Sequence, residues 1–201
     1  MLNFEKNILA WADKEPMGAN EWTAFYKENT SSLRLQMKQR GFDLRDVLNP
    51  PKDIAPRLGE VTDILVSAMD SLEYHPRIIG FVVAMSLRNK AIVKKQNLFL
   101  FLYERFLVVP PDNKIHNPQA RGVAMGLANA LISHFTWEHF DKAQALIKDK
   151  SLDEQRGLLL LAFKRFLHKD EVRQLLTELS EDPEHAYIAK KMLKYKVRTP
   201  K

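Results

Sequence analysis

The chain has 201 residues, a formal net charge of +6, 45% apolar residues, 7 glycines, 10 prolines and no cysteine. A disulfide framework, a cysteine zinc site, a thiol nucleophile and an iron–sulfur cluster are therefore excluded. The apolar fraction is that of a globular chain, and the length fits one domain, or at most two small ones, with a real core; a single all-helical domain over 1–201 is expected.

Helical periodicity recurs along almost the whole chain, and strand-like alternation is nearly absent. A first helix is expected from Phe4 to Asp13. Glu5, Lys6 and Asn7 interrupt its apolar residues, so the N-terminus does not read as a secretory signal. A second helix should start near Asn20 and run to Arg40, before Gly41. Trp11 and Trp22 read as the staple of an N-terminal helical hairpin over residues 1–49. Asp43 to Pro56 contains Pro50, Pro51 and Pro56 and reads as an irregular connection.

Further helices are expected over 57–71, 76–88, 91–108, 118–133, 137–149, 152–167, 170–181 and 183–196. Asn117-Pro118 and Asp182-Pro183 each place a capping side chain before a proline at the first helical position. Ser151-Leu152-Asp153-Glu154 has the spacing of a capping box. The strongest apolar run, Leu98 to Val109, is broken by Glu104 and Arg105. It is too short for the roughly 20 apolar residues of a membrane span. No membrane partner is expected, and the expected location is cytoplasmic.

The scattered glycines form neither GxGxxG nor GxxxxGK[ST], which removes the two glycine-rich phosphate-binding devices. They instead mark an internal similarity. His75-Pro76-Arg77-Ile78-Ile79-Gly80 matches Asn117-Pro118-Gln119-Ala120-Arg121-Gly122 in the placing of proline and glycine. Gln119-Ala120-Arg121-Gly122 is matched again by Glu154-Gln155-Arg156-Gly157. A glycine recurring early in three helices, each at a cost of about 1 kcal/mol against alanine, points to close helix–helix approach.

Asn117 to Ala128 (NPQARGVAMGLA), Asp153 to Ala162 (DEQRGLLLLA) and Asp182 to Leu193 (DPEHAYIAKKML) share an Asp/Asn-Pro-x-x-Arg-x-x-Ala pattern. The second lacks the proline, and the third lacks the arginine, with Ala186 at that position and Tyr187 beside it. This pattern resembles the second helix of HEAT-type repeats and covers roughly residues 74–196. The resemblance implies an all-α fold, a short right-handed solenoid of stacked helical hairpins with the N-terminal hairpin as cap. It also implies a scaffold that binds other macromolecules, most often proteins. A minority, similar to bacterial alkylpurine DNA glycosylases, hold DNA.

Two clusters carry the excess positive charge without an intervening acid. One is Arg88, Lys90, Lys94 and Lys95 at a turn between helices; the other is Lys190, Lys191, Lys194, Lys196, Arg198 and Lys201. In the last helix the buried stripe is expected to be Ala186, Ala189, Met192 and Leu193, with the lysines opposite. The polar loop Val108 to Asn117 adds Asp112, Asn113 and Lys114 as contact candidates, because inter-repeat loops project from one edge. His134 and His139 are five apart and no HExxH occurs, so neither a metal site nor any other cofactor is expected. Glu104 is expected to pair with Arg105 or Arg121 as a structural ion pair; Asp70 ends another helix. No aromatic-plus-acid constellation of the kind that holds an extruded base emerges, so catalysis is not expected.

The reading is therefore a non-catalytic binder of another protein, with an acidic partner surface, of the inhibitor or immunity type that occludes a toxin. The alternative is a HEAT-like nucleic-acid-binding protein.

Overall fold

The computed structural model describes residues 2–12, 17–109, 118–152 and 154–195. Among these the chain is all-helical, with no strand. It divides into two compact units, Met1–His134 and Phe135–Lys201.

The first unit opens with α1 (Asn3–Ala12), α2 (Ala19–Asn29), α3 (Ser31–Gln39) and α4 (Leu44–Leu48). The single helix expected over 20–40 is interrupted at Thr30, whose hydroxyl donates to Tyr26 O. The proline-rich connection is not wholly irregular. Asp43 accepts from Arg45 N and so caps α4, and a 3₁₀ turn Ala55–Val61 leads into α5 (Thr62–Met69). Trp11 and Trp22 do more than staple two helices. Their rings, with that of Phe25, converge on the His75 ring at centroid distances of 4.3, 5.2 and 5.5 Å. Two asparagines clasp the same turn. Asn7 donates to Ser71 O and Tyr74 O, and Asn29 bonds Glu73 O and His75 N.

His75 Nδ1 accepts from Arg77 N, with Pro76 at the first helical position, and starts a bent helix. It runs through α6 (Pro76–Ile78), a π-helical turn Ile79–Ala84 and α7 (Met85–Leu87). The helix expected over 91–108 is two, α8 (Lys90–Lys95) and α9 (Phe99–Leu107). Gln96 is extended, the Asn97 side chain takes the Phe99 N–H, and His134 Nδ1 takes the Leu98 N–H. These side chains offer the backbone a second helix start, which overrides periodicity.

α10 (Pro118–His134) is the longest helix and packs on the bent helix more extensively than on any other element. The crossing is backbone on backbone. A Cβ on Gly80 would lie 2.7 Å from Gly122 O and from Val123 Cα, and one on Gly126 would overlap Gly80 O. Ile79, Val82, Val83, Val123, Ala124 and Leu127 are buried around it. Elsewhere in this unit the buried Arg105 grips both oxygens of Asp70 and donates to Phe101 O. Glu104 does pair with Arg105, at 3.8 Å, but from an exposed position, and the closer partner of the buried guanidinium is Asp70. The Arg121 side chain lies outside the described residues.

The second unit begins with a 3₁₀ turn, Trp137–His139, leading into α11 (Phe140–Lys148). A short 3₁₀ turn Lys150–Leu152 precedes α12 (Glu154–Leu160), which continues as a 3₁₀ segment Leu161–Phe166. α13 (Asp170–Leu179) and α14 (Ala186–Leu193) follow. Phe135, Phe140, Phe163 and Phe166 form an edge-to-face core with Trp137 on its margin. Asp149 accepts from both the Ser151 N–H and hydroxyl, while the capping box expected of Ser151 turns on Glu154. Asp153 and the Glu154 side chain lie outside the described residues. The last helix starts at Ala186 rather than Pro183, because the Asp182 side chain accepts from Glu184 N and turns the chain first.

Candidate functional site: a lysine-rimmed groove in the second unit

The site is built from two helices and the turn between α13 and α14. On α12, Gln155 and Arg156 are buried, while Gly157 and Leu158 are half-buried. One and two turns further, Leu161 and Lys164 stand exposed. Tyr187 and Lys191 lie one turn apart on α14, and Tyr195, two residues past its end, joins them in the groove lining as one stripe. Ile188 and Met192 lie beside that stripe, towards the core.

Gly157 sets the closeness of the two helices, since a Cβ there would lie 3.3 Å from Ile188 Cδ1. Beyond it a groove of about 730 Å³ opens, with Leu158, Leu161, Ile188 and Met192 in its lining. The rim is aromatic and cationic. Lys164 Nζ stands 4.9 Å from the Tyr195 ring centroid, and Lys191 Nζ stands 5.8 Å from that of Tyr187. Tyr187 is 75% exposed, the most exposed large apolar side chain described.

Glu184 and His185 also line the groove. Behind them lies Arg156, whose side chain is 1% exposed. Its Nε donates to Ile147 O at 2.7 Å, its Nη2 to Asp182 at 2.6 Å and its Nη1 to Glu184 at 3.0 Å. The Arg156 guanidinium holds the Asp182 carboxyl at a pKa of about 2, against an ordinary 3.8. His185 is buried, with Nδ1 lacking a hydrogen-bond partner, 3.6 Å from Asp182 and 3.9 Å from Glu184. Asp182, Glu184 and His185 offer donor atoms within 4.8 Å of one another, a spacing a metal ion could use. Both carboxylates are already bridged by Arg156, so the protein supplies its own cation there.

Of the expected contact residues, Lys190, Lys191 and Lys194 are all exposed. Lys191 does not simply face solvent opposite a buried stripe, as expected; it lines the groove. Only Ala189 and Met192 of the expected stripe are buried, while Ala186 and Leu193 are half-buried. The stripe 187–191–195 was visible in the sequence as an i, i+4, i+8 pattern. Arg88 and Lys90 are exposed at the α7–α8 turn, and Lys94 and Lys95 are exposed in the last turn of α8. Lys95 is already used, because its Nζ donates to Gly59 O at 2.7 Å. Asp112, Asn113 and Lys114, together with Lys196, Arg198 and Lys201, lie outside the described residues.

Two other histidines, His134 and His139, have structural partners. His134 is wholly buried and accepts from Leu98 N through Nδ1, while Nε2 lies 2.9 Å from Leu87 O. Burial pushes its pKa below the ordinary 6.5, so a neutral ring donating to Leu87 O fits both bonds. His139 is likewise lowered by burial and bonds the Thr136 hydroxyl. No helix among the described residues is long and apolar enough to cross a membrane. Comparison with protein-family models, with curated proteins and with solved structures returns no match.

Proposed function

We propose that the chain is a HEAT-like stack of helical hairpins that binds an acidic surface of another protein without catalysis. The inhibitor or immunity type of protein, which occludes a toxin, acts in this way. The observation that carries the binding role is the groove beside Gly157, an exposed apolar trough with lysines and tyrosines on its rim. Exposed apolar surface rimmed by polar groups is a recurrent mark of protein contact sites, and aromatic residues are enriched in them. The repeat reading is supported by the direct packing of the two helices that share the Pro-x-x-x-Gly spacing, 76–87 and 118–134.

The test is affinity purification of the full chain from native extract, beside a Lys164→Glu, Lys191→Glu double variant. A stoichiometric protein retained by the wild type and lost by the double variant is the expected result. Absence of any stoichiometric protein overturns the reading. The nucleic-acid alternative rests on the exposed Arg88, Lys90 and Lys94. It requires retention of DNA or RNA that falls steeply with salt and with neutralisation of those three.

A further inference from the structure

The rim and floor of the groove also constrain what shape of protein segment can enter it. We infer that its occupant is an amphipathic α-helix of the partner, with a narrow apolar face flanked by aspartate and glutamate. The inference rests on the protein-binding reading above and adds the partner's local structure and chemistry.

Three observations point the same way. Tyr187 and Lys191 stand one turn apart on α14, and Tyr195, just past its end, carries the rim roughly one further turn. A trough of that length between two helices accepts the i, i+4 and i+7 side chains of a third helix. The floor is aliphatic, formed by Leu158, Leu161, Ile188 and Met192, and it offers neither donor nor acceptor to a base edge or to an extended backbone. A helix satisfies its own backbone internally, so it can lie on such a floor at no hydrogen-bond cost.

The charge is one-sided. Lys164 and Lys191 stand on the rim, and Lys190 and Lys194 are exposed on the adjoining face of α14. The acid lining the groove, Glu184, is bonded by the Arg156 guanidinium. A helix with basic flanks would meet like charge on both sides. One with acidic flanks would pair with ammonium groups that already lie over the tyrosine rings.

The experiment is selection of a displayed random-peptide library on the immobilised full chain. It is followed by binding of the selected synthetic peptides to the wild type, Tyr187→Ala and Lys191→Glu. Both substitutions are at exposed positions, and thermal melting checks that the fold persists. Enriched peptides should share apolar residues at i, i+4 and i+7 with acidic flanks and gain helical circular dichroism on binding. Each substitution should weaken them about tenfold or more, the size of a hot-spot loss.

The inference is overturned if no peptide is enriched, if the enriched ones lack that pattern, or if neither substitution weakens them. It is also overturned if a single-stranded DNA oligonucleotide or phosphatidylglycerol vesicles bind in a Tyr187-dependent way while acidic peptides do not. A native partner unaffected by Lys191→Glu would sink this occupant and leave protein binding standing. The absence of any native partner would sink the functional reading itself.

Discussion

In residues 1–134 the seam between the bent helix and α10 is closed by Gly80, Gly122 and Gly126, with backbone against backbone. In residues 135–201 the seam between α12 and α14 carries a single glycine, Gly157, and opens beside it into the groove. The difference follows from what comes next on each face. α10 repeats a small residue after one turn, Gly122 to Gly126, so the close approach extends along the helix. α12 follows Gly157 with Leu161 at the same spacing and then Lys164. Side chains of that size cannot continue a backbone contact. The second seam is held instead at its end, where Arg156 bonds Ile147, Asp182 and Glu184. One seam is a packing device, and the other is an ionic clasp with a binding surface next to it.

The sharpest way to break that contrast is at the clasp. Arg156→Met leaves the Asp182 carboxylate without its buried partner and should cost about 3 to 5 kcal/mol in urea unfolding of the full chain. A loss under about 1 kcal/mol would mean that packing alone holds the second seam. The next effect is at the closed seam. Gly126→Ala gains helix propensity worth about 1 kcal/mol but drives a methyl into Gly80 O, so a net loss of about 2 kcal/mol is expected. No flexible side-chain end is available there to move aside.

Acid separates the two devices in a third way. The Asp182 pKa is depressed on folding, so its contribution is present above the unfolded value near 3.8 and is lost as pH falls through about 2. Arg156→Met should flatten that acid limb, and an unchanged limb would remove Arg156 as its cause. His134, in the first unit, is also depressed, but it is a base. Its neutral ring is favoured by folding, so stability is full above 6.5 and declines as pH falls below that value. An NMR titration of His134 that midpoints at or above 6.5 would contradict the buried, neutral ring.

These devices were unevenly legible in the sequence. Close approach at Gly80 and Gly122 was readable, because proline and glycine recur at one spacing and a helical glycine needs a packing reason. Asp182 was readable only as a helix cap, since nothing local shows that a buried arginine 26 positions away will claim its carboxylate. Asp70 and Arg105, 35 apart, escaped for the same reason, while the adjacent Glu104 drew attention by mere proximity. The break between α8 and α9 depends on a histidine 36 residues beyond Leu98, a tertiary contact that no periodicity contains. The groove was half visible. The Tyr187, Lys191 and Tyr195 spacing was present, but whether such a stripe faces solvent or a trough depends on the size of residues on another helix.

That dependence makes Gly157 the finest probe of the contrast. A methyl added there meets the end of the Ile188 side chain at 3.3 Å and the His185 ring at 3.6 Å, with no backbone in the way. The Ile188 terminus can yield by a few tenths of an ångström because the groove lies beside it. Gly157→Ala should therefore change stability by less than about 0.5 kcal/mol, the propensity gain offsetting the mild crowding. The same substitution at Gly126 should cost several times more. If both cost about 2 kcal/mol, the second seam is as tightly closed as the first, and the groove is too rigid to seat a helix. If Gly157→Ala is neutral to stability yet weakens the selected acidic peptides, the floor at Gly157 is part of the surface they occupy.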